Sequence, residues 1–210
     1  MDQQQSRENI LNKIRQALKQ SVPVPFPQVE ENNSVFIPLQ QDIEVEFAEN
    51  FTKLQGRFSF AGSLDELAVQ LQTLIQARGW QAVYCREEAL TSTLQQHGFI
   101  QTYTTDLSKC DAAITTCEQL IARTGSIVMS AAQQSGRTVS VYAPVHICIA
   151  YTSQLVYDIS DALKNVQHKY PQLPSLITLA TGPSRTADIE KTLVVGVHGP
   201  KEVFCFLVQE

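Results

Sequence analysis

Short apolar segments that alternate with amphipathic helical segments restrict the fold of this chain more than any other feature of its sequence. The capping pair Ser63 and Glu66 starts a predicted helix. Downstream of it, the pattern predicts a buried strand at 82–85, a helix at 87–97 and a strand at 111–115. Strands that alternate with helices form a mostly parallel sheet with helices on both faces, so the predicted fold class is α/β.

The pattern changes between residues 124 and 151, where β-rich segments follow one another without an intervening helix. The segments 124–131, 138–142 and 146–151 are separated only by short turns. Such connections predict neighbouring strands and an antiparallel patch beside the parallel sheet. The remaining segments are predicted to alternate again: a helix at 153–168, a strand at 175–181, a helix at 184–193 and a strand at 203–208.

The first 40 residues form a separate part of the sequence. Residues 6–19 place apolar side chains on one helical face, and three prolines between 23 and 27 prevent the helix from continuing. We therefore predict an N-terminal helix with a proline-rich connector at 1–40. An α/β domain is predicted at 41–210, beginning with a helix near 42–55, and its length suits one domain.

Charge and hydropathy narrow the range of partners and locations. The chain has 16 Lys and Arg against 21 Asp and Glu, and its formal net charge of -5 argues against binding to nucleic acid. The sequence has no signal-peptide layout at its start and no apolar segment of the ~18 residues that a membrane span needs. A cytoplasmic location is therefore expected.

No metal or cofactor site is predicted within the chain. Its five cysteines form no CxxC pair, and no two of its four histidines have the spacing of metal ligands. Cys85, Cys148 and Cys205 lie inside apolar segments and are predicted to be core residues. Cys110 and Cys117 flank a predicted strand end, where they can be exposed.

The strongest candidate for a binding site is the turn TGPSR and the predicted helix after it. Gly182 allows the backbone to approach a ligand, and a helix that begins near Ser184 presents free N–H groups to an anion. Arg185 has the planar fork that suits a carboxylate or phosphate. Asp188 follows three residues later, where it can pair with Arg185 or hold a ligand hydroxyl.

Two further turns and one strand end supply the remaining candidates. His198, held between Gly196 and Gly199, is a candidate general base, as is His146 at the start of a strand. The turn formed by Thr124, Gly125 and Ser126 is predicted to line the mouth of a polar pocket. A purely structural interpretation stays open for every one of these residues: a helix cap, a surface charge, an ordinary turn or a core histidine.

Taken together, these segments resemble the LUD-domain family, of the lactate utilization protein C type. The resemblance covers nearly the whole chain and rests on the segments SRENILNKIRQAL, IARTGSIVMS, GRTVSVYAPVHICIA and TGPSRTADIEKTLVVGVHGP. It implies a fold like that of the NagB/RpiA/CoA-transferase group and a role in oxidising L-lactate to pyruvate. It also implies two partner proteins, one cysteine-rich and one ferredoxin-like, that carry the iron–sulfur clusters.

One residue departs from the family pattern. The family usually has an acidic residue before the TGS or TGT triplet, and this chain has Arg123. If the acid holds a cation or a substrate hydroxyl, that role is missing or inverted here.

Three functions remain open at this point. The first is a subunit of a lactate-oxidising complex, in which Arg185 clamps the carboxylate and His198 or His146 acts as base. The second is an enzyme of the CoA-transferase or cyclo-ligase kind that acts on a phosphate-bearing ligand. The third is a non-catalytic scaffold of the complex, which docks on a partner through the N-terminal helix.

Overall fold

The computed structural model describes residues 3–19, 38–186 and 194–210, and the chain divides into two compact units, Met1–Pro38 and Leu39–Glu210. The first unit contains helix α1 (Gln3–Leu18), on which the side chains of Ile10 and Ile14 are exposed. The predicted N-terminal helix is therefore confirmed. The predicted proline-rich connector lies almost wholly outside the described residues.

In its described residues, the second unit combines helices with three sheets. Its helices are α2 (Ile43–Lys53), α3 (Leu64–Arg78), α4 (Glu88–Gln96), α5 (Val139–Tyr142) and α6 (Ile159–Lys169), with short 3-10 helices at Leu107–Lys109 and Thr152–Gln154. Its strands are β1 (Arg57–Ala61), β2 (Val83–Tyr84), β3 (Ala112–Thr116), β4 (Gln119–Ile121), β5 (Ser126–Ser130), β6 (Val145–Tyr151), β7 (Leu155–Val156), β8 (Ile177–Ala180), β9 (Arg185–Thr186), β10 (Val194–Val195) and β11 (Glu202–Val208).

A five-stranded parallel sheet forms the centre of this unit, with the strand order β1-β11-β6-β3-β2. A second sheet has the order β7-β4-β5-β8, in which β5 pairs antiparallel with both β4 and β8. Strands β9 and β10 form a separate antiparallel pair. The predicted α/β class, with a mostly parallel sheet and an antiparallel patch, is confirmed.

The central sheet is covered on both faces. Alternate residues of each strand point to opposite faces, so Ile147 and Ile149 pack with α3 and α4, whereas Cys148 and Ala150 pack with α2 and the second sheet. Helix α6 covers the outer face of the second sheet through Ala162. Burial on both faces explains why the central strands have continuous apolar sequences.

Two predictions in the β-rich region are wrong. The segment 138–142 is helical rather than a strand, because the Thr138 carbonyl accepts hydrogen bonds from the amides of Val141 and Tyr142. The strands on either side of it, β5 and β6, do not pair with each other and belong to different sheets. The antiparallel patch is instead built from β4, β5 and β8.

Two helix boundaries also differ from the prediction. Helix α6 begins at Ile159 rather than near Ser153, because Asp158 accepts a hydrogen bond from the Ser160 amide and caps the helix. The predicted helix at 184–193 does not begin near Ser184, since Arg185–Thr186 is a strand paired with β10. The rest of that predicted helix, including Asp188, lies outside the described residues.

Candidate functional site

The structure brings the two predicted glycine turns together through a chain of hydroxyl groups. Ser126 Oγ lies 2.7 Å from Thr124 Oγ1 and 2.9 Å from Thr181 Oγ1. The turn before β5 and the turn after β8 are therefore held side by side, because these two strands pair antiparallel.

Both turns rest on the C-terminal half of α2. Gly125 has a φ of +59°, and a Cβ there would lie 2.5 Å from the Phe51 amide nitrogen. Gly182 has a φ of +80°, and a Cβ there would overlap the Leu54 carbonyl oxygen. Only glycine combines these dihedral angles with so close an approach. The C-terminal end of a helix carries partial negative charge, which opposes the binding of an anion at this point.

The loop after Gly182 and the loop before β11 converge on Ser184. The Ser184 amide donates to the Pro200 carbonyl at 2.9 Å, and the Gly196 amide donates to the Ser184 carbonyl at 2.9 Å. A Cβ on Gly199 would lie 2.8 Å from Ser184 Cβ, so these loops are in direct contact. The Ser184 and Gly196 amides thus donate to carbonyl groups of these loops and are not free to bind an anion.

A cleft of about 400 Å³, here called the amino-edge cleft, lies beside these loops. It is at the edge of the central sheet where the strands begin, since the Lys201 amide donates to the Pro144 carbonyl just before β11 and β6. Its side chains include apolar, aromatic and basic groups: Val141, Tyr142, Pro144, Val197, His198 and Lys201. The cleft thus combines an ammonium, an imidazole and a phenol with apolar walls.

The predicted site residues differ in their relation to this cleft. His198 and Gly199 line it, whereas the exposed Arg185 does not. The basic group in the cleft is Lys201, which sequence reasoning missed although it directly follows the GVHGP turn. The Lys201 stem crosses Gly196, where a Cβ would overlap it.

His146 is enclosed in the sheet and does not line the amino-edge cleft. Its Nε2 lies 2.8 Å from Thr115 Oγ1, and its Nδ1 is buried without a hydrogen-bond partner among the described residues. Burial lowers the pKa of His146 to about 4, so the ring is neutral at pH 7. The ring has no exposed surface, and a ligand in the cleft does not touch it.

Arg123, the departure from the family pattern, has a structural partner. Its Nε lies 2.6 Å from Asp158 Oδ2, and its amide donates to the Tyr157 carbonyl at 3.1 Å. Hydrogen bonds from the Ser160 amide and from Arg123 together outweigh partial burial and lower the pKa of Asp158. The basic residue therefore supports the beginning of α6.

A second polar cluster lies at the opposite edge of the central sheet, where β2 and β3 end. We call it the carboxyl-edge cluster and define it as Glu87, Thr116, Glu118, Ser130 and Gln133. Glu87 Oε2 accepts from the Thr116 amide at 3.0 Å and from its hydroxyl at 2.5 Å. Gln133 Nε2 donates to Thr116 Oγ1 at 3.3 Å, and the Ser130 amide donates to Gln133 Oε1 at 2.9 Å.

Glu118 occupies the other end of this cluster with its charge fully compensated. Its oxygens accept from Lys169 at 2.7 Å, Ser130 at 2.6 Å and Tyr170 at 2.8 Å. Burial raises the pKa of the Glu118 carboxyl, but these three hydrogen bonds outweigh it and the pKa is lowered. The sequence contained a usable signal, since Glu87 and Thr116 lie within two residues after two predicted strands.

Cys148 and Cys205 are buried as predicted, whereas Cys85, also predicted to be a core residue, is only partly buried. Cys110 and Cys117 lie in the core rather than at the surface. The hydrogen bond with Cys148 and burial raise the pKa of the Cys117 thiol well above normal. At Cys148 the hydrogen bond with Cys117 lowers the thiol pKa, but contact with Cys205 and burial outweigh it and the pKa is raised. Within 3–19, 38–186 and 194–210, no group of three or more His, Cys, Asp or Glu side chains is arranged to hold a metal ion.

Comparison with known families shows to which protein family the chain belongs. The family described as LUD domain matches residues 45–208, which is most of the second unit. The chain belongs to the LUD domain family. Among the described residues, no helix of this LUD domain protein is both long and apolar enough to cross a bilayer.

Several curated relatives carry the name lactate utilization protein C, among them proteins from Halalkalibacterium halodurans and Bacillus subtilis. The LUD domain chain is 37% identical over 105 residues to the protein from Halalkalibacterium halodurans, a match that covers 49% of this chain and 45% of that protein. It is 34% identical over 105 residues to the protein from Bacillus subtilis, covering 49% and 44% respectively. The chain thus spans less than half the length of the curated relatives it matches.

A solved structure supports the fold of this LUD domain. The crystal structure of a DUF162 family protein from Deinococcus radiodurans superposes with a TM-score of 0.57 at 18% identity. The superposition covers 81% of this chain and 99% of that chain. At this identity the likeness concerns the fold alone.

Proposed function

We propose that this LUD domain protein is a subunit of an iron–sulfur-dependent system that oxidises L-lactate to pyruvate, and that it binds a small anionic ligand. The observation that carries the proposal is its membership of the LUD domain family, with relatives named lactate utilization protein C. In this proposal the clusters that accept the two electrons belong to two partner proteins, as the family resemblance implies.

The amino-edge cleft is the proposed place for the anionic ligand. Lys201 makes no ion pair within the part of the chain that the structure describes, so its ammonium is available to a carboxylate or phosphate. His198 can donate or accept a hydrogen bond beside it. Lys201, and not Arg185, is the basic group proposed to face the anion in this cleft, since Arg185 does not line it.

A deletion strain tests the role in lactate use. We expect a strain that lacks this protein to grow normally on pyruvate and poorly on L-lactate, because the defect lies before pyruvate. The wild-type chain restores growth on lactate, and K201M restores it only partly. Equal growth of the deletion strain on both carbon sources overturns the proposal.

Reconstitution tests the role of the chain within the complex. Affinity purification of the chain from its native cell is expected to recover iron–sulfur proteins, and the assembly is expected to reduce an electron acceptor when L-lactate is added. Removing this chain is expected to abolish that reduction. Full lactate-dependent reduction by the partners alone contradicts a necessary role for this subunit.

The size of the amino-edge cleft favours a second candidate function, an enzyme or binding protein for a phosphate-bearing ligand. Lactate has six non-hydrogen atoms and fills less than ~180 Å³ even if each takes the ~30 Å³ of a water molecule. The cleft of about 400 Å³ is within the range of pockets that hold larger ligands. A rise in melting temperature with ATP or coenzyme A, absent in K201M, supports this alternative, and no rise at millimolar ligand contradicts it.

A further inference from the structure

Glu87 is a buried carboxylate that is only half satisfied. The residue is 6% exposed. Both hydrogen bonds of its carboxylate come from Thr116, and both go to Oε2. Oε1 is buried and has no hydrogen-bond partner among the described residues, nor does any basic side chain among them pair with this carboxylate. Burying a charged oxygen without a partner is costly, so this atom requires an explanation.

Glu118 shows what a purely structural carboxylate looks like at the same edge of the sheet. Its side chain is 1% exposed, yet it is paired with Lys169 and also accepts hydrogen bonds from Ser130 and Tyr170. The fold thus supplies a cation and several donors to one buried carboxylate and leaves the neighbouring one incomplete. The contrast indicates that the missing donor at Glu87 is not among the described residues.

The position of Glu87 is one where α/β proteins bind ligands. Glu87 follows β2 and Thr116 ends β3, and these strands are parallel neighbours in the sheet. Ligands of parallel sheets bind beyond the carboxyl ends of the strands. Glu87 is also the N-cap residue of α4, but its side chain makes no cap hydrogen bond and turns to Thr116 instead.

The loop between β5 and α5 supplies a second unsatisfied group. Gln134 accepts from the Glu88 amide at 3.0 Å, which places this loop over the start of α4. The next residue, Ser135, is 1% exposed, and its hydroxyl has no partner among the described residues. The Gln134–Glu88 hydrogen bond thus joins the loop that holds Ser135 to the start of α4, next to Glu87 in the chain.

We infer that this place binds a small hydroxy acid, whose hydroxyl donates to Glu87 Oε1 and whose carboxylate accepts from Ser135 and the first amides of α4. The choice of a 2-hydroxy acid rests on the proposed function. The ligand carboxylate takes the place of the Gln134 side chain at the Glu88 amide, where the positive end of the helix favours an anion. The hydroxyl is thereby recognised at the carboxyl edge, separately from the amino-edge cleft.

A pair of ligands that differ only in the hydroxyl tests the inference. L-lactate and propionate are titrated into the ¹⁵N-labelled full chain, and dissociation constants are taken from amide shifts. We expect the wild-type chain to bind L-lactate at least about tenfold more tightly than propionate, because propionate leaves the Glu87 oxygen without a donor. We expect the largest shifts at the amides of Glu88, Thr116 and Ser135.

Three variants test which residue causes the preference for L-lactate over propionate. E87Q is expected to bind the two ligands within about twofold of each other, and S135A to weaken both. E49Q, the same substitution at an exposed side chain of α2, is expected to keep the tenfold preference. Urea unfolding of each variant confirms that the fold is intact. If E87Q does not fold, the S135A result and the position of the shifts decide.

Equal affinity of the wild-type chain for both ligands, or no binding of either, overturns the inference. So does a preference that survives E87Q but disappears in K201M, since that result places the hydroxyl in the amino-edge cleft. These outcomes are independent of the growth test, which can support a role in lactate use even where this site fails.

Discussion

His146 Nε2 lies 2.8 Å from Thr115 Oγ1 across two neighbouring strands of the central sheet, and the other ring nitrogen is buried without a partner among the described residues. Burial keeps this ring neutral and lowers its pKa from 6.5 to about 4. The unfolded chain therefore binds a proton at this residue between those pH values while the folded chain does not. Protonation in that window favours unfolding.

We therefore expect His146 to make the protein less stable as the pH falls below 6.5. Its contribution is fully present above that value and declines as the pH approaches 4, with a loss of about 2 kcal/mol between pH 7.5 and pH 5. The measurement is urea unfolding at both pH values for the wild type and H146Q, which is expected to have the flatter profile. H168Q, at an exposed position of α6, serves as the control. Identical slopes for the wild type and H146Q contradict the assignment.

Glu118 is expected to show the opposite kind of titration. Its folded pKa is lower than the usual 4.5, so its stabilising effect is present above that pH and is lost as the pH falls through the folded value. E118Q is expected to cost about 1–2 kcal/mol at pH 7, because the buried hydrogen bonds from Ser130 and Tyr170 lose a charged acceptor, whereas Lys169 is exposed and becomes solvated. The difference in unfolding free energy between the wild type and E118Q is expected to narrow below pH 4.5, as the Glu118 carboxyl of the wild type takes up a proton. A constant difference from pH 7 to pH 3 is the contrary result.

Gly125 is expected to be far less tolerant of substitution than another glycine of similar backbone conformation. G125A combines a left-handed backbone with a Cβ only 2.5 Å from the Phe51 amide nitrogen, and is expected to cost more than about 2 kcal/mol. G136A has a φ of +65° and open space around the Cβ, so only the backbone cost of about 1 kcal/mol applies. Thermal and urea unfolding compare the two; equal losses argue against close packing on α2.

Arg123 is expected to act through Asp158 rather than through a ligand. R123E places two carboxylates together at the start of α6 and is expected to destabilise the protein by about 1–2 kcal/mol. The loss is expected to be about 1 kcal/mol smaller in a D158N background, where the cap remains but the charge is removed. The same loss in both backgrounds contradicts the pairing.

Local sequence patterns determined the fold class and the main elements of the second unit. Ser63 accepts the hydrogen bond from the Glu66 amide that its spacing predicted, and the continuous apolar segments became β3, β6 and β11 of the parallel sheet. These features depend on residues three or four positions apart, or on burial of a whole segment, and both are visible in the sequence.

The candidate sites could be predicted only in part from the sequence, because several of their contacts join residues that are far apart in the chain. The sequence located Gly199 and His198 at the amino-edge cleft, but it favoured Arg185 over Lys201 because a helix was expected after Gly182. Residues 185–186 pair with 194–195 instead, and such pairing depends on a chain segment several residues away. The role of Arg123 depends in the same way on Asp158, which is 35 residues distant.

The tertiary structure alone decided which strands share a sheet and which buried polar groups lack a hydrogen-bond partner. Val139–Tyr142 has the composition of a strand, but its neighbours β5 and β6 joined different sheets and left it as a helical turn. The bond between Glu87 and Thr116 spans 29 residues, and the free oxygen of Glu87 appears only when the strands are paired. Periodicity specifies whether a segment is buried, whereas its neighbours are set by packing of the whole chain.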